Sequence, residues 1–179
     1  MHRKLLLSVL LPLVVGLTLR GPESSTIAVI GGSAEQRQQV AQAVEAFERA
    51  GLKLPNLQIS FALNPAECLE HMGLFETDHY PWRITFCSDA AFVYLHELAH
   101  AWELANLTDR ERAAFMALRG HQTWADPDVP WEDRGVEGAA FIIQQGLMDM
   151  PLPPNLSEEQ ASRLAAFELL TGVPSPRLP

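Results

Sequence analysis

Two histidines, His96 and His100, stand four residues apart in the stretch FVYLHELAHAWEL (Phe92 to Leu104), with Glu97 directly after the first. On a helix that spacing sends both imidazoles out of one face, one turn apart, which is the separation two ligands of a single tetrahedral zinc ion need. Glu97 then points just beside them. There its carboxylate can take a proton from a zinc-activated water, whose pKa zinc lowers to about 7. The bland alternative is an amphipathic helix whose histidines simply meet solvent. The intervening Leu98 and Ala99 are apolar, as a buried active-site helix requires.

Such a site needs a third protein ligand and one open position. Glu103 lies a turn beyond His100, but three residues spread over two turns of straight helix span about 10 Å along the axis and cannot all reach one ion. Its expected role is to orient a ligand histidine or to pair with an arginine. His121 follows Gly120 in a loop and could ligate only if that loop folds back. Asp126, Asp128, Glu132 and Asp133 read as turn and cap residues. Glu137 falls one turn into a predicted helix, among Val136, Gly138, Ala139, Ala140 and Phe141. A carboxylate with so little polar company needs a partner, and zinc is one. The competing reading is a surface glutamate favoured by the helix macrodipole.

These side chains need elements to hold them. STIAVIGG reads as a short strand ending in a turn, and Ser33 caps a predicted helix from about Ala34 to Ala50, with Val40, Val44 and Phe47 at helical spacing and Gly51 as its stop. NLQISFAL alternates Leu57, Ile59, Phe61 and Leu63 as a half-buried strand does, and a turn is expected at Asn64-Pro65. A less regular stretch containing Gly73 and Pro81 leads to WRITFC, where Trp82, Ile84 and Phe86 alternate as a second strand. Ser88 or Asp89 is the expected N-cap of the histidine helix, which should run from about Ala90 to Ala105. Thr108 and Glu111 form a capping box for the next helix, stopped by Gly120. His121 to Asp133 is a predicted loop, and a helix resumes from Arg134 or Gly135 to Leu147. PLPPN should break it, after which Ser157 and Gln160 cap a last helix to about Thr171, with a loose tail after Gly172.

HELAHAWEL followed by WEDRGVEGAA, whose second glutamate lies 37 residues after His100, resembles the gluzincin branch of the zincin metallopeptidases. In particular it resembles small exported bacterial proteases with a second signature W-x-x-R-x-x-E-x-x-A, met here by Trp131, Arg134, Glu137 and Ala140. The resemblance covers mainly Trp82 to Leu147. It implies His96, His100 and Glu137 as zinc ligands, Glu97 as general base, and a compact α+β fold with a small sheet packed on the active-site helix and a mainly helical C-terminal half. Zincins also place an edge strand before the motif helix, a role WRITFC would fill here, so that a peptide substrate binds by β-augmentation. One departure is clear: thermolysin-like members carry an acid four residues after the ligand glutamate, where this chain has Phe141.

The N-terminus begins with a basic tip, Arg3 and Lys4, followed by fifteen mostly apolar residues from Leu5 to Leu19. That run is shorter than the roughly 20 residues of a comfortable membrane span and is interrupted by Pro12, so residues 1–22 read as a signal peptide. No A-x-A-like cleavage pair follows, so an uncleaved N-terminal anchor, attaching the protein to a membrane through residues 5–19, is the alternative. Residues 23–179 then form a single domain. Two cysteines in an exported chain, Cys68 and Cys87, are expected to pair. The net charge is −9, and without Arg3, Lys4 and Arg20 the remainder holds 10 basic against 22 acidic residues, or −12. Such a surface repels phosphate backbones and excludes nucleic acid as a partner.

The expected function is therefore zinc-dependent hydrolysis of peptide or amide bonds outside the cytoplasm. Candidate donors to the developing oxyanion are Arg134, His121, Tyr80 and Tyr94, although Arg134 also suits a salt bridge and Tyr94 the core. Trp102, Trp124 and Trp131 suit core and loop packing better than a substrate cage. Two alternatives stand beside this one: a catalytically silent zincin acting as an extracellular peptide-binding module, and a metal-free interaction domain.

Overall fold

A computed structural model of the chain describes residues 25–62, 64, 68, 71–148 and 156–177. The leader, Pro65 of the expected turn and the PLPPN break lie outside the described residues. The architecture is α+β: a four-stranded sheet comes from the first half and helices dominate the second.

The sheet contains β1 (Ile27–Val29), β2 (Leu57–Phe61), β3 (Gly73–Glu76) and β4 (Trp82–Phe86), in the order β1-β2-β4-β3. β1, β2 and β4 run parallel, with Ile59 beside Ile84, and β3 pairs antiparallel with β4, with Gly73 beside Phe86. The alternation in β2 and β4 sends Leu57, Ile59, Ile84 and Phe86 into the core, as a period of two on a half-buried sheet requires. Two expectations fail here. WRITFC is not the free edge, because β4 is paired on both sides. The edge on that side is β3, in the stretch expected to be irregular, and β1 is the other edge.

The described residues form five α-helices, three of them started by local capping signals. α1 (Ala34–Arg49), α3 (Asp109–Arg119) and α5 (Glu158–Thr171) each begin with a complete capping box, from Ser33 and Gln36, Thr108 and Glu111, and Ser157 and Gln160. Gly120 and Gly172 end α3 and α5 in the left-handed conformation that glycine adopts without a Cβ clash.

α2 (Ala91–Asn106) carries the histidines and has no side-chain N-cap, since its cap is Ala90 and not Ser88 or Asp89. Ser88 instead accepts the Ala90 N–H through Oγ. This helix is held by burial. Val93, Tyr94, Leu98, Ala101 and Trp102 join Phe47, Ile59, Ile84, Phe115, Ile143 and Phe167 in one apolar core, where each large side chain contributes roughly 1.5–3 kcal/mol.

α4 (Gly135–Leu147) packs closely along α2. Its N-terminus, capped by Arg134 without a side-chain bond, is satisfied by backbone instead: the N–H groups of Gly135 and Val136 donate to the carbonyls of Thr123 and Trp124 at 2.9 and 2.8 Å. The predicted loop before it contains a short 3-10 turn, Trp131–Asp133. At the other end, α5 closes on Gly146, where any side chain would run into Phe167. The tail is not loose as expected, because Ser175 Oγ donates to the Gly146 carbonyl at 2.8 Å and Arg177 Nη1 to that of Gln145 at 2.9 Å. Among the described residues no helix is long and apolar enough to cross a membrane.

Candidate metal centre

α2 and α4 bring His96, His100 and Glu137 together. One carboxylate oxygen, Glu137 Oε2, lies 3.3 Å from His96 Nε2 and 3.1 Å from His100 Nε2. All three side chains are 13% exposed, so they are withdrawn from bulk water yet open on one side. The imidazoles meet nearly edge to face, 4.7 Å between centroids. Ligand atoms placed about 2.0–2.1 Å from a shared tetrahedral ion stand about 3.3 Å from one another. The two measured edges match that geometry, and the cluster is able to hold a metal ion.

In the metal-free chain the three groups brace one another electrostatically. Burial works to lower the His100 pKa, but the hydrogen bond to Glu137 and the charges of Glu103, Glu137 and Glu97 raise it to about 9. Burial would raise that of Glu137, yet its bonds to His100 and His96 hold it at about 2. Both shifts favour an ionised glutamate beside the two imidazoles, the form in which a carboxylate ligates a metal.

Glu97 lies beside the pair and is 7% exposed. Burial raises its pKa, His100 and His96 oppose the rise and Glu137 adds to it. A carboxylate moved toward neutrality next to two imidazoles suits general acid–base work. It fits because its neighbour on β3 is Gly73: a Cβ there would lie 2.6 Å from Glu97 Cδ, Cγ and Oε1.

Around these groups opens a cleft of about 600 Å³. β3 and the residues before it, His71 to Phe75, form one wall, and Trp131, Arg134, Val136 and Phe141 form the other, with Phe92 and Gln144 also lining it. Cys68 and Cys87 form the expected disulfide. The bridge ties the chain just before β3 to the end of β4, and the Cys87 N–H donates to the Met72 carbonyl at 3.0 Å.

Of the four expected oxyanion donors, only Arg134 lines the cleft. Its Nε and Nη2 donate to the carbonyls of Val129 and Pro127 at 2.9 and 3.1 Å, so it forms no salt bridge and instead braces the wall containing Trp131. His121 faces elsewhere: Nδ1 bonds the Asp133 carbonyl at 2.9 Å, and its ring stacks on Phe115 and covers Gly138. Tyr94 is fully buried against Phe86. Tyr80 is 74% exposed and accepts a bond from Asn56, away from the cleft.

Sequence reasoning missed His71, β3 and Trp131. Trp131 is 51% exposed and its ring lies 6.0 Å from that of His96, so it fronts the site, while Trp102 and Trp124 pack in the core and under the loop as expected. The only signal for β3 was an apolar pair, Leu74 and Phe75, inside the disulfide loop. Comparison with protein-family models, curated proteins and solved structures gives no match. The functional reading therefore rests on residues and geometry.

Proposed function

We propose that the protein is a zinc-dependent metallopeptidase with a zincin-like fold, hydrolysing peptide or amide bonds outside the cytoplasm. The observation that supports it most is the convergence of two imidazole nitrogens on one glutamate oxygen, 3.1 and 3.3 Å away, with a second buried glutamate beside them in an open cleft. Two histidines and one glutamate are a donor set that zinc takes in catalytic sites, where a fourth position stays open. Bound there, zinc would supply Lewis acidity to a substrate carbonyl and to a water.

The chain's own residues do the rest. Glu97 takes the proton of the attacking water and returns it to the leaving amine. Arg134 and His71, on opposite walls of the cleft, are the donors available to the developing oxyanion. An extended substrate pairs with β3, the edge strand that lines the cleft, by the main-chain bonding of β-augmentation. Leu74, Phe75, Phe92, Trp131 and Phe141 favour large apolar side chains beside the scissile bond. The leader-like residues 1–22 and the disulfide support an oxidising compartment.

The test is metal content and turnover on purified protein. Wild type should carry one zinc and cleave members of a broad fluorogenic peptide pool. Glu97→Gln should keep the zinc and lose roughly 10²–10⁴-fold in rate, the range general acid–base catalysis supplies. Zinc bound by both proteins with turnover by neither would leave a silent zincin that only binds peptides. Absence of zinc would leave an interaction domain.

A further inference from the structure

Glu103 is a buried acid that the proposed reaction does not use. It is 2% exposed, and among the described residues neither carboxylate oxygen has a hydrogen-bond partner. A buried carboxylate left so is costly and rarely without purpose. Its position on α2 suggests one. Glu103 follows His100 by three residues, so the two share a helix face on adjoining turns, and helical side chains lean toward the N-terminus. That lean carries the carboxyl back toward the imidazole.

His100 turns Nε2 toward Glu137. Nδ1 therefore faces away from the centre, and among the described residues it makes no hydrogen bond. A histidine that ligates through Nε2 carries its proton on Nδ1, and that N–H requires an acceptor. Glu103, on the same face of the helix, is a buried acid without a partner among the described residues. Arg112 on α3 also acts on Glu103, as does Glu137, and among the described residues the Arg112 Nε is likewise buried without a partner.

On the reading of His96, His100 and Glu137 as a metal triad, we propose that Glu103 is a positioning residue that accepts the Nδ1–H of His100 and fixes that ring as an Nε2 ligand. The bracing comes from within α2 itself, and Phe141 on α4 lines the cleft.

The experiment uses zinc with a competing chelator on folded, full-length protein. Glu103→Leu, which removes the acceptor, should weaken zinc binding 10–100-fold, as loss of such outer partners does. Glu103→Gln retains an acceptor oxygen and should stay within about threefold of wild type. In zinc-loaded wild type, proton NMR should show a His100 Nδ1–H slow to exchange with solvent. Leu and wild-type proteins binding zinc equally would overturn the proposal, pointing to a structural pair with Arg112. If Glu103→Leu does not fold, a freely exchanging Nδ1–H in wild type would overturn it alone. No zinc bound by wild type would instead defeat the metal triad itself.

Discussion

Gly73→Ala isolates the role of Glu97 without touching it. A Cβ at this position would sit 2.6 Å from three atoms of the Glu97 side chain, whereas carbon atoms settle about 3.5–4.0 Å apart. Something must give by about 1 Å. The strand is the less movable partner: Gly73 is in register with Phe86, and the Met72 carbonyl is bonded to the Cys87 N–H, next to the disulfide. Gly73 is also not among the positive-φ glycines, so alanine can take up its backbone conformation and the strain falls on the carboxyl. A misplacement of about 1 Å costs on the order of 10²-fold in rate, or about 2.7 kcal/mol of barrier. The assay is kcat/KM on the fluorogenic pool, with zinc content and Tm followed alongside. We expect the rate to fall about 100-fold with zinc retained. Activity within threefold of wild type, at equal zinc content, would refute the claim that this glycine makes room for the general base. A large drop in Tm would show the strain entering the fold.

Two further perturbations have signs set by the structure. In the metal-free protein Glu103 is raised from 4.5 to about 8, chiefly by burial, and His100 from 6.5 to about 9, where its carboxylate partners overcome burial. Both shifts mean that the folded chain holds protons the unfolded chain has released, so stability contributed below the unfolded values is lost as pH rises, between 4.5 and 8 for the first and between 6.5 and 9 for the second. The metal-free Tm should fall across that span. Zinc must displace the His100 proton, so affinity should strengthen about tenfold per pH unit between about pH 7 and 9, and calorimetry in buffers of different ionisation enthalpy should register proton release. Tm rising with pH, or binding without proton release, would contradict the pairing. The Cys68–Cys87 bridge spans a separation of 19 residues, for which chain entropy predicts about 3 kcal/mol. The double serine variant should therefore melt about 6–12 °C lower with unchanged zinc affinity, and a weakened affinity would show that the two walls are coupled.

Local signals carried much of this structure. The capping boxes at Ser33, Thr108 and Ser157 and the alternation in Leu57–Phe61 and Trp82–Phe86 appear where the sequence placed them, because caps and periodicity depend on neighbours along the chain. So did the histidine helix and the later helix that brings Glu137 to it. Pairing partners were another matter. Which strand is the edge is decided by contacts between distant segments, and β3 is four residues long with adjacent apolar residues and no alternation. The same applies to the caps of α2 and α4, where burial and the backbone carbonyls of Thr123 and Trp124 replace side-chain signals. Tyr94 takes the core position that was one of its two expected places, while Trp131 fronts the cleft and not the packing expected of it, because the direction of a side chain depends on what packs over its element.

α2 is the element shared by both walls of the cleft. On one side it meets β3, tethered by a disulfide to β4; on the other it meets α4, joined to it through the histidine–glutamate cluster. On the proposed reading of a bound zinc, the two fastenings answer to different reagents, a reductant for the first and a chelator for the second. Each wall is thus free to drift in sequence without disturbing the other's anchor. Replacing residues such as Leu74 or Phe75 should alter which peptides are accepted at constant metal affinity, which makes the β3 side the natural place to retarget this protein by directed evolution.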